Sequence, residues 1–113
     1  MLSAKSTATS IHIGSCAPSE TIVAKTSSSV YELIIRRGDC GDVLVRGGSY
    51  FADFCPVLFV GSIRNDRAVE RHTIDIGLRM TFRFDNQVIV TSEVQSLSRH
   101  PARDAEARCA ATQ

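Results

Sequence analysis

A chain of 113 residues that is 43% hydrophobic and 22% charged can build one modest core and is too apolar to stay disordered. Its formal net charge of +1 excludes a bulk electrostatic pull towards nucleic acid or an anionic membrane. No apolar run reaches the roughly 20 residues that cross a bilayer.

The chain reads as a single domain over 1–113, cytoplasmic, with no membrane partner. Its opening, MLSAKSTATSIHIGSCAPSE, lacks the apolar core of a secretory signal, and residues 1–10, rich in Ser and Thr, read as a flexible arm. Within and after that opening, TATSIHIG and SETIVAKTS predict two short strands. SVYELIIRR, GDCGD and VLVRGG then predict a hairpin with strands over Val30 to Arg37 and Asp42 to Arg46, because Gly38, Asp39, Gly41 and Asp42 supply turn chemistry between two runs of branched residues.

YFADFCPVLFVGSI differs from the strands around it. Val57, Phe59 and Ile63 fall on one face, and Leu58 and Val60 make the other face apolar too. A strand apolar on both faces is expected to be buried on both, so Leu58 and Val60 call for a cover: the C-terminal tail, an N-terminal segment or another subunit. Pro56 has no N–H for a ladder and is expected at the strand's start or at a sheet edge.

The strongest signal follows the polar turn RNDRA. Ile74, Ile76, Leu78, Met80, Phe82 and Phe84 alternate with Asp75, Gly77, Arg79, Thr81 and Arg83, which predicts one long strand with a core face and a wet face. Beyond it, a three-residue loop at Asp85, Asn86 and Gln87 puts Phe84 opposite Val88, Phe82 opposite Val90 and Leu78 opposite Val94, with Val88, Val90 and Val94 on the core side. It also sets Arg79 opposite Glu93 on the wet face. A two-residue loop would instead pair Phe82 with Ile89 and split the apolar set, so the longer loop is preferred. Pro101 and the alanines after it fit a short helix within a tail at 100–113.

The sum is an all-β fold: a small antiparallel barrel or rolled sheet of six to seven strands, with a short C-terminal helix as an option. No phosphate-binding glycine motif occurs, and neither a metal nor a cofactor is expected. Cys16, Cys40, Cys55 and Cys109 form no C-x-x-C pair and are expected as reduced thiols, with Cys55 a small core residue. Asp53, Cys55 and His72 are the least poor catalytic set. Cys55 lies among Phe54, Pro56 and Leu58, not in the electropositive niche a reactive thiol needs, so no catalytic residue is assigned and the protein is read as a non-enzyme.

Three binding readings remain, in order. The first is a self-associating module, a homo-oligomer with Leu58 and Val60 in the subunit contact. The second is a small-ligand carrier or weak enzyme using the barrel mouth, where Tyr50, Phe51 and Asp53 follow the Gly47–Gly48 pair. The third is anion binding through Arg46, Arg79 and Arg83. Nucleic acid ranks last, because single-strand binders interleave basic residues with stacking aromatics and aromatic residues are only 6% here.

Overall fold

The computed structural model describes residues 6–65 and 67–101. In chain order its strands are β1 (Ser6–Ala8), β2 (Ser10–His12), β3 (Thr21–Thr26), β4 (Val30–Arg37), β5 (Asp42–Gly47), β6 (Phe51–Arg64), β7 (Arg67–Arg71), β8 (Thr73–Asp75), β9 (Arg79–Phe84) and β10 (Gln87–His100). Among the described residues the only helical pieces are single 3-10 turns at Ile13–Ser15 and Gly38–Cys40. The helix expected in the 100–113 tail lies outside the described residues, apart from His100, which ends β10, and Pro101.

The architecture is all-β and antiparallel, and it is barrel-like. β3, β4, β5, β6, β9 and β10 close into a ring of hydrogen bonds, because β9 pairs with both β6 and β10. β1 runs beside the end of β10, β7 beside the end of β6, and β2 pairs with β8 as a separate ribbon. Six strands suffice for closure; the four others are three to five residues long.

The β4–β5 hairpin forms as its residues dictate. Leu33 faces Val45 and Ile35 faces Val43, all four buried, and Gly41 closes the turn in the left-handed region at φ 78° that glycine adopts without cost. Phe51, Phe59 and Phe82 fill the interior, with Phe82 centred 5.6 Å from Phe59 and 6.0 Å from Phe51, edge to face with the latter. Ile11 and Ile74 join the same core from the β2–β8 ribbon, and Ile13 from the 3-10 turn after β2.

Two expected features of the long alternating segment are corrected. The strand over 74–84 breaks at Ile76 and Gly77, where Gly77 takes φ 91°; β8 ends before them and β9 starts after them. The parity survives the break, with Leu78, Met80 and Phe82 inside and Arg79 and Arg83 outside. The β9–β10 turn, expected to hold three residues, holds two. Asp85 and Asn86 both take positive φ, and Phe84 pairs with Gln87, Arg83 with Val88 and Phe82 with Ile89. Val88 and Val90 therefore point outward, and Ile89 and Thr91 point in. A bulge between Val90 and Glu93 then shifts the register, so Arg79 still lies opposite Glu93.

Candidate interaction face

On the outer side of β6, β9 and β10 the register lays side chains out in three rows. Leu58, Arg83 and Val88 form the first. Val60, in a bulge beside Gly61, with Thr81 and Val90 forms the second, and Ile63, Arg79 and Glu93 the third. Leu58 is 47% exposed, Val60 37%, Val88 64% and Val90 38%. The second apolar face of β6 is thus real, and nothing among the described residues covers it. The expectation of burial on both faces is not met within one chain.

Thr81 sits in the middle of this face, 7% exposed, and its hydroxyl has no hydrogen-bond partner among the described residues. Arg79, Arg83 and Glu93 make no ion pair among the described residues, whose bridges are Arg36 to Asp42, Arg46 to Glu32 and Arg99 to Glu20. The face ends in two concavities of about 300 Å³ each, one beside Leu58, Arg83 and Asp85, the other beside Arg79, Val90 and Glu93.

The residues expected at the barrel mouth do not converge. Tyr50 and Asp53 are exposed, whereas Phe51 is buried with its ring 6.0 Å from Phe82 and 5.9 Å from Phe84. The paired glycines form a tight connection: a side chain at Gly48, which has φ 63°, would clash with the Tyr31 hydroxyl. A larger concavity, about 430 Å³, lies nearby on the outer side of β3 and β4, lined by Val23, Glu32, Ile34, Arg46, Phe54 and His100 among others.

Of the three arginines singled out for anions, Arg46 is already engaged. Its guanidinium donates to Glu32 Oε1 at 2.9 and 2.6 Å and lies 4.3 Å over the Phe54 ring. Arg79 and Arg83 belong to the interaction face.

The set Asp53, Cys55 and His72 is not brought together. Cys55 is half-buried and pairs with Val45, while His72 packs at Gly41, about 13 Å away along β5 at the usual strand rise. His72 holds φ 55°, and burial, with Arg71 and His12 nearby, pushes its pKa below the ordinary value against an opposing pull from Asp39. The His12 Nδ1 lies 2.9 Å from the Thr73 hydroxyl, and the His100 Nε2 lies 3.1 Å from Ser98 Oγ. No group of three or more His, Cys, Asp or Glu side chains able to hold a metal occurs among the described residues. Burial pushes the Cys16 thiol up to about 11, partly offset by Arg99.

Sequence reasoning found Leu58 and Val60 but assigned their neighbours Val88 and Val90 to the core. The signal that would have found them is Asp85–Asn86, two residue types that tolerate positive φ and can form a two-residue turn by themselves. No helix among the described residues is long and apolar enough to cross a membrane. No protein-family model, curated protein or solved structure matches the chain.

Proposed function

We propose that the protein is a non-catalytic β-barrel module that self-associates through the outer face of β6, β9 and β10, with Leu58 and Val60 in the subunit contact. The observation that carries this reading is the gathering of four exposed aliphatic side chains on one outer face, Leu58 and Val60 on β6 and Val88 and Val90 on β10, on either side of Thr81 and Arg83 of β9. Single exposed aliphatics are ordinary on soluble proteins, whereas several gathered on one face favour a contact surface. The unbonded thiols of Cys16, Cys40 and Cys55 suit a reducing cytoplasm as the place of action.

The test is sedimentation equilibrium from low to high micromolar protein. Wild type is expected to form an oligomer, and Leu58→Asp combined with Val88→Asp to remain monomeric with unchanged circular dichroism. A wild type that stays strictly monomeric at high micromolar concentration overturns the reading.

A second reading, a small-molecule carrier, is favoured by the concavity of about 430 Å³, where the Phe54 ring and the apolar floor of Val23 and Ile34 adjoin polar Glu32, Arg46 and His100. Its site is this concavity, not Tyr50, Phe51 and Asp53. A metabolite that raises the melting temperature of wild type but not of Phe54→Ala would support it, and a flat thermal-shift screen would count against it.

A further inference from the structure

The wall of the concavity of about 430 Å³ on the outer side of β3 and β4 carries both signs of charge side by side. This inference rests on the small-molecule carrier reading and gives its ligand a chemical class.

The register lays that wall out in two rows. Val23 lies opposite Glu32, and Glu32 opposite Arg46, so one row across β3, β4 and β5 holds an aliphatic side chain followed by an ion pair. The next row, two residues or about 7 Å away along the strands, sets Thr21 opposite Ile34. Val23 and Ile34 are half-buried, and their rows are the apolar floor beside the charged pair.

The pair leaves part of each charge unused. Arg46 Nε and Nη2 both donate to a single carboxylate oxygen, Glu32 Oε1, at 2.9 and 2.6 Å. Glu32 Oε2 and Arg46 Nη1 have no hydrogen-bond partner among the described residues, and the two side chains are 36% and 44% exposed.

Such a wall discriminates by charge. A ligand with a single negative charge gains from Arg46 what it loses to Glu32 beside it, and a ligand with a single positive charge meets the reverse. A ligand that carries both charges next to each other gains from both, and an α-amino acid bears its ammonium and its carboxylate on one carbon. The Phe54 ring already carries the Arg46 guanidinium on one face, 4.3 Å from its centroid, so Val23 and Ile34 supply the remaining apolar contact and favour an aliphatic side chain.

We infer that the concavity binds a free aliphatic α-amino acid, with its ammonium on Glu32 Oε2, its carboxylate on Arg46 Nη1 and its side chain across Val23 and Ile34.

Calorimetric titration of the full chain with L-leucine, isocaproate and isoamylamine tests this. Isocaproate is leucine without its ammonium, and isoamylamine is leucine without its carboxylate. Wild type is expected to bind leucine at least about ten-fold more tightly than either analogue, since each lacks one charged hydrogen-bonding group. Glu32→Gln is expected to lose that preference and to bind isocaproate more tightly than wild type does, and Arg46→Gln to do the same for isoamylamine. Both are readouts by gain that a misfolded variant would not give. Isocaproate or isoamylamine binding wild type as tightly as leucine overturns the inference, and so does leucine binding of wild-type strength in either variant. Leucine that leaves wild type silent, while another metabolite raises its melting temperature but not that of Phe54→Ala, overturns the ligand class and leaves the carrier reading standing. A flat screen removes both.

Discussion

Phe82 lies directly opposite Ile89 across the β9–β10 hairpin, and only Asp85 and Asn86 connect the two strands beyond Phe84 and Gln87. Asp85 has φ 52° and Asn86 φ 64°, the pair of positive angles that matches the right-handed twist of a two-residue hairpin. Glycine reaches such angles more easily than asparagine, and β-branched residues resist them. Asn86→Gly is therefore expected to raise the unfolding free energy by up to about 1 kcal/mol, and Asn86→Val to lower it by about 1–2 kcal/mol, both by urea denaturation. Equal stability of the two variants would mean that residue 86 does not hold a left-handed conformation in solution.

Thr81 presents a hydroxyl that is buried and unpaired among the described residues, although its neighbours on the face, Val60 and Val90, are apolar. An unmade hydrogen bond at a buried oxygen costs about 1–3 kcal/mol, and valine has the same shape without that oxygen. Thr81→Val is expected to stabilise the fold by about 1 kcal/mol in thermal melts of the dilute protein. A clear loss of stability would show that the hydroxyl has a partner in solution.

These two positions also mark where the sequence stopped being readable. The β4–β5 hairpin was legible because its alternation runs unbroken into glycine-rich turn chemistry, and the parity of β9 was legible because Met80 and Phe82 alternate with two arginines. β10 was not. Its buried residues are Ile89, Thr91, Val94 and Leu97, a spacing of two, three and three, because bulges at Val90–Glu93 and Val94–Ser96 reset the parity. Thr91 reads as solvent-facing by type, yet its hydroxyl accepts from the Met80 N–H at 3.0 Å and donates to the Ser92 carbonyl at 2.7 Å, bridging the ladder where the bulge opens it. The candidate face was half legible for the same reason: Leu58 and Val60 show their second apolar side directly, but Val88 and Val90 change sides with a one-residue change in loop length.

His72 gives the fold a defined response to acid. Its folded pKa lies below the ordinary value of 6.5, through burial first and then the charges of Arg71 and His12. The unfolded chain therefore takes up this proton before the folded one does. The contribution to stability is full above about pH 6.5 and is lost as pH falls through the lower folded value. Urea midpoints are expected to fall between neutral pH and pH 5, and His72→Asn, which tolerates the φ of 55°, to flatten that fall. An unaltered pH profile in His72→Asn would place the sensitivity elsewhere.

The thiols should separate by reactivity. Cys40 is exposed in the turn between β4 and β5, whereas Cys16 is buried with its thiol pushed up to about 11. At pH 8 such a thiol is ionised in only about one molecule per thousand, and the thiolate is the species that reacts. Iodoacetamide labelling followed by peptide mapping is expected to modify Cys40 within minutes and Cys16 only on the timescale of unfolding. Comparable rates at the two sites would show that the segment around Cys16 opens readily in the folded protein.

Pro56 lies within a 14-residue strand and, as its missing N–H predicts, at a sheet edge, paired with β5 alone. The Phe59 N–H donates to the Gly41 carbonyl on the β5 side at 2.8 Å, so by the alternation of a strand the backbone groups of Val57 and Cys55 point to β5 as well. The nitrogen of Pro56 points the other way, and on that side the pairing of β6 with β9 begins only at Leu58. Proline here removes no ladder bond, and it denies a donor to any strand that would add to the open half of β6. Pro56→Val is therefore expected to leave the melting temperature within a few degrees of wild type while producing concentration-dependent association by light scattering. That association should persist in the Leu58→Asp, Val88→Asp background, because it uses the strand edge and not the outer face. A Pro56→Val protein that scatters no more than its parent in that background would show that the open half of β6 is shielded by something other than proline.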